Sequence, residues 1–163
     1  MRPGSGSRRG DTGAVAVEFA LILPILIALM LGITTAGFSY SKALATTDAV
    51  REGARFGATT LTSPPPAGST SWAAAVQTKT AELSYGGATA SQVCVQLVRA
   101  GGAVVQSSTC SIGSAAPATP TSLVTPDCAV KVWAEVPVTI NIGIQSWDVD
   151  VVRGAVARYE RTC

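Results

Sequence analysis

The chain contains no histidine. That absence excludes the Ser-His-Asp and Cys-His forms of nucleophilic catalysis and every metal site that needs an imidazole. Charge is also scarce, 13% of 163 residues, with a net of +2 and no basic cluster beyond the amino terminus. Nucleic acid and other polyanions are therefore not expected partners. There is no glycine-rich phosphate loop, because Gly86-Gly87 and Gly101-Gly102 lack the required spacing and lysine. The four cysteines include no C-x-x-C pair of the kind found in zinc knuckles and thioredoxin-like redox sites. Past residue 60 the carboxylates are Glu82, Asp127, Glu135, Asp148, Asp150 and Glu160. Asp148 and Asp150 fall on one strand face, and two acids so spaced are ordinarily solvated rather than catalytic or calcium-binding. An enzyme is not expected, and neither a cofactor nor a metal is implied.

What the chain does have is one long apolar run. Residues 19–41 carry no charge over 23 positions, and a helix needs about 20 such residues to cross a bilayer. Arg2, Arg8 and Arg9 precede it against a single Asp11, so the amino terminus is expected on the cytoplasmic side and the bulk of the chain outside. Residues 1–13, rich in glycine, serine and arginine, have no apolar periodicity and read as a leader. Gly13-Ala14-Val15-Ala16-Val17-Glu18-Phe19 has the form of a prepilin processing site, with cleavage after Gly13. Two other export readings exist. Ala43-Leu44-Ala45 offers signal peptidase a small-residue site, although the apolar run is longer than the 7 to 15 residues usual in a secretory signal. Arg8-Arg9 is followed by Gly10-Asp11 where a twin-arginine signal has apolar residues.

Glu18 stands where lipid begins. A carboxylate costs about 2.5 to 3.5 kcal/mol at mid-membrane, less toward the interface, so a partner is called for. Cleavage after Gly13 creates an amine on Ala14, one helical turn from Glu18, and the amine of a neighbouring subunit shifted along a filament could pair with it. The plainer reading leaves Glu18 solvated among head groups, favoured by the helix dipole. Pro24 cannot donate to the carbonyl of Ala20, which predicts a kink that neighbouring helices help to satisfy. Beyond the membrane Ala43, Thr47, Val50, Ala54 and Gly57 form a stripe at helical spacing, beside Asp48, Arg51, Glu52 and Arg55. One helix is expected over residues 14–60, its small-residue stripe open either to another chain or to the protein's own head.

These residues together resemble the TadE-like family of pseudopilins from tight-adherence (Flp) pilus systems. The shared order is a basic leader, a glycine before the cleavage point, the Glu18-Phe19 pair, a proline-broken apolar run and Arg51-Glu52-Gly53-Ala54-Arg55. The resemblance implies that Gly13 is the last leader residue, Ala14 the mature amino terminus, Glu18 the assembly glutamate and Phe19 its aromatic neighbour. It further implies a minor pilus component, since major Flp pilins are much shorter chains. Prepilin peptidase, other pilins or pseudopilins and pilus platform proteins are the implied partners, and the bacterial cytoplasmic membrane, spanned once, is the implied location. The alternatives are an unprocessed single-pass envelope protein with a ligand-binding exported head, and a secreted domain released by signal peptidase.

The rest of the chain is expected to form that head. Residues 61–71, with Pro64-Pro65-Pro66 and Gly68, read as a linker. Residues 72–163 read as one small α+β domain: a helix over 72–85 capped by Gly86-Gly87, a hairpin of 91–99 and 103–109 around Gly101-Gly102, and a loop over 110–127. A strand from Cys128 to Ile140, covered on one face, follows, with Pro137 marking an edge or bulge, and then a last strand or pair over 145–159. Trp133 and Trp147 are read as buried in preference to lining a binding surface. Cys94, Cys110, Cys128 and Cys163 all lie on the exported side, where disulfides form. Three pairings are open, with Cys94–Cys110 and Cys128–Cys163 preferred. The fold class is thus a long amino-terminal transmembrane helix extending into a small, disulfide-bonded, pilin-like antiparallel head.

Overall fold

The computed structural model describes residues 11–60, 71–85, 87–143 and 145–159. They form helix α1 (Asp11–Thr59), helix α2 (Ser71–Leu83) and strands β1 (Val93–Arg99), β2 (Val104–Ser107), β3 (Cys128–Asn141) and β4 (Ser146–Tyr159), with a short 3-10 turn at Ala90–Gln92. Most of the expected leader, the linker over 61–70, Gly86 and Cys163 lie outside the described residues.

α1 runs for 49 residues without interruption, about 73 Å at 1.5 Å per residue. Its alanine- and leucine-rich composition favours helix throughout, and the continuous α geometry passes through Pro24. Hydroxyls inside the apolar run are returned to the helix itself: Thr34 Oγ1 donates to Met30 O at 2.7 Å and Ser39 Oγ to Thr35 O at 2.8 Å.

The four strands make one antiparallel sheet in the order β2-β1-β3-β4. The β1–β2 hairpin turns at Gly101 and Gly102, whose φ of +86° and +87° are cheap only for glycine. One sheet face receives both helices. Val93, Val95 and Leu97 of β1 and Val130, Val132, Ala134, Val136 and Val138 of β3 join Val50, Ala54 and Ala58 of α1 and Trp72, Ala73 and Val76 of α2 in the core. Burying each valine fully contributes about 1.5 to 3 kcal/mol.

β3 is covered on both faces, not on one as its alternation predicts. Ala129, Lys131 and Trp133 point away from the helices yet are buried, because the loop over 110–127 crosses that face. Trp133 Nε1 donates to Ser114 O at 3.2 Å, and the Ser114 N–H donates to Glu135 Oε2 at 3.1 Å. Pro137 lies beyond Ala134, the last β3 residue paired with β1, so there β3 pairs only with β4 and the missing N–H breaks no ladder on the open side. At the end of α2 Tyr85 adopts a left-handed conformation, with φ 50°, and Gly86 of the expected cap lies outside the described residues. Gly87 N–H then donates to Ser84 O at 2.9 Å.

Cys94 and Cys110 form a disulfide, pinning β1 to the start of the covering loop, and Cys128 is disulfide-bonded as well. A loop of that length is worth about 3 kcal/mol in the chain-entropy model. The Cys94→Ala/Cys110→Ala double variant is expected to lose about that much stability in thermal melts of the full chain in detergent, while its far-ultraviolet spectrum at low temperature stays native.

Candidate assembly helix

α1 has two halves with different environments. From residue 43 outward its inner face is embedded in the head. Thr46, Ala49, Val50, Gly53, Ala54, Gly57 and Ala58 are buried, and Arg51, Glu52 and Arg55 are exposed. Small residues are needed because α2 comes very close. A Cβ on Gly53 would overlap Thr80 Oγ1 and lie 3.1 Å from Thr80 Cβ, and one on Gly57 would meet Val130, Val76 and Trp72 at 3.0 to 3.3 Å. The Gly57 carbonyl, in the last turn, accepts from Trp72 Nε1 at 3.2 Å. The small-residue stripe of the outer half therefore packs on the protein's own head.

The inner half is different. Side chains 13–27 are all exposed, and α1 is one helix long and apolar enough to cross a membrane. Val15, Val17, Phe19, Leu21, Ile25, Met30 and Ile33 present a continuous apolar surface, far beyond the patches that water-soluble monomers tolerate. Glu18 is exposed and makes no hydrogen bond or ion pair among the described residues. Ala14 lies one turn before it and Phe19 beside it. A Cβ on Gly13 would meet nothing within 4 Å. The Asp48/Arg51 and Glu52/Arg55 spacings, favourable on paper, form no ion pairs among the described residues.

The contact line along α1 continues inward from the head through Ala43, Ser39, Thr35, Gly32 and Ala28, all half-buried. What covers them is the far end of the β3–β4 hairpin. Thr35 Oγ1, whose one proton is shared between its own helix and the hairpin, lies 2.9 Å from Leu31 O and 3.0 Å from Asn141 O, and Ile142 Cγ2 comes within 3.8 Å of a Cβ placed on Gly32. This contact with the apolar run is missing from the sequence reading. The available signal is that residues 136–147 carry no charge. No cluster of three or more metal-ligating side chains occurs among the described residues.

Residues 13–55 match the family model of TadE-like proteins. The match begins on Gly13 and ends on Arg55, so it takes in the apolar run and the Arg51–Arg55 motif and leaves the head outside. Comparison with curated proteins and with solved structures finds no match.

Within that motif the residues divide by surroundings. Arg51→Ala and Arg55→Ala are each expected to change stability by less than about 0.5 kcal/mol, as exposed substitutions do. Gly53→Ala is expected to cost about 1 to 3 kcal/mol through overpacking, despite alanine's better helix propensity. Thermal melts of the three full-length variants in detergent check this.

Proposed function

We propose that the chain is a minor pseudopilin of Tad (Flp) pilus assembly, processed by prepilin peptidase after Gly13, its amino terminus cytoplasmic and its head extracytoplasmic. The observation that carries this reading is Glu18. It is the one charged side chain over residues 13–41, it has no partner within the described residues, and it lies in the segment that matches the TadE-like model. A carboxylate at the edge of lipid that no described residue neutralises calls for a cation. The amine created on Ala14 of a neighbouring subunit has the right charge and, one turn from Glu18, comes within reach after a small axial shift.

Gly13 supports the same reading from the opposite direction. Glycine inside a helix is about 1 kcal/mol worse than alanine, and no neighbour at this position requires it. Recognition by a peptidase gives the residue a reason that packing does not. The bond between Thr35 and Asn141 argues against removal of the whole apolar segment after Ala45, since such a cut discards a strand of contacts with the head. The match to the TadE-like model supports a role in assembly.

Intact-mass analysis of protein purified from membranes tests the proposal. The expected mature chain begins at Ala14 when the peptidase gene is present and keeps its leader when that gene is deleted. A chain whose leader stays on in wild-type cells, or one starting beyond Ala45, overturns processing. Glu18→Ala is expected to be made and trimmed normally yet to lose piliation at least tenfold in surface pilus counts; full piliation removes the ion pair from the account.

A further inference from the structure

The hairpin that joins β3 to β4 reaches further along α1 than a head resting above a bilayer allows. A hydrocarbon core of about 30 Å takes roughly 20 helical residues, and counted from Phe19 these end at Phe38. The exposed rings of Phe38 and Tyr40 then mark the outer interface, where aromatic side chains gather. Yet Asn141 is bonded to Thr35 and Ile142 packs beside Gly32. At 1.5 Å per residue these contacts lie about 4 Å and about 9 Å inside that boundary.

We propose that the β3–β4 hairpin tip is a second membrane contact, with Ile142 and Trp147 entering the outer leaflet beside α1 and the acyl chains of phospholipid as their partner. The inference rests on α1 being membrane-embedded. Four observations fit an apolar surrounding. Residues 136–147 carry no charge. Ile142 completes an apolar groove with Pro24, Ala28, Gly32 and Ala36, which lipid can fill. Trp147, 45% exposed, stands across from Ile140 on the outermost strand of the sheet. Two N–H groups of the tip are satisfied from within, as lipid demands: Ile142 N–H donates to Gln145 O at 3.0 Å and Gly143 N–H to Asn141 Oδ1 at 2.7 Å.

The depth is limited by Asp148. It pairs with Thr139, whose Oγ1 donates to Asp148 Oδ1 at 2.6 Å, and Thr139 borders the same groove as Phe38 and Ser39. Two residues up the strand from Asn141, about 7 Å at 3.3 Å per residue, the carboxylate reaches the head groups as the tip reaches lipid. Insertion of about 5 to 10 Å is that of an interfacial anchor, and here it fixes both the height and the facing of the head.

The described residues contain no free cysteine, so single nitroxide labels can be placed on the full chain in nanodiscs at Ile142→Cys, at Leu29→Cys in α1 and at Gly113→Cys in the exposed loop. The expected result is that labels at 142 and 29 are relaxed more by oxygen than by a water-soluble nickel chelate, and that the label at 113 shows the reverse. A label at 142 that follows 113 overturns the inference while leaving α1 in the membrane. A label at 142 shielded from both reagents places a second protein chain there and also overturns it. If the label at 29 is water-exposed, the membrane reading of α1 fails and the inference with it. In the unlabelled chain, tryptophan emission quenched by dibrominated phosphatidylcholine is expected to be largely lost in Trp147→Phe; quenching unchanged by that substitution contradicts insertion.

Discussion

The approach of α1 to α2 at Gly53 and Gly57 sets the geometry on which the rest of the head depends. With no Cβ at either position, Thr80, Val76 and Trp72 come against the helix backbone, and α2 settles in the corner between α1 and β1. From there Gln77 reaches across to bond the carbonyls of Val93 at 2.6 Å and Thr109 at 2.9 Å. One buried amide thus ties α2 to the start of β1 and to the chain just past β2. Larger side chains at the two glycines would push α2 off this corner and leave the amide and the Trp72 indole without acceptors, which is costly for buried polar groups.

The same helix serves two solvents. Its outer half follows the logic of a water-soluble core, with small residues inward and Asp48, Arg51, Glu52 and Arg55 outward. Its inner half has the character that lipid calls for, with apolar side chains facing out and the hydroxyls of Thr34 and Ser39 returned to their own helix. The change of regime falls near Lys42, the first charged residue after the apolar run. In the placement proposed for it the β3–β4 hairpin straddles that line, with Asp148 and Asp150 on the wet side and Ile142 on the dry side.

Much of this is legible in the amino-acid pattern. The long helix announces itself by its charge-free run and by the periodic stripe that follows, and Gly101-Gly102 marks a turn because little else tolerates positive φ. The preferred Cys94–Cys110 pairing is present in the structure. Other features depend on contacts distant in sequence. The alternation along β3 records one covered face, and nothing near Lys131 or Trp133 reveals that a loop fixed by Ser114 will cover the other. Nothing in the pattern near the end of α2 singles out Tyr85 for the left-handed conformation it adopts. The hairpin's reach toward Gly32 is also hidden, because strand length says nothing about which part of a neighbouring helix the strand will pass.

Because α1 is continuous from Asp11 to Thr59, through Pro24, stem and head share one helix with no non-helical joint between them. Whatever angular step separates successive stems in an assembly therefore reappears as the step between successive heads, and the azimuth of each exposed sheet reports the rotation of a helix that is itself out of sight.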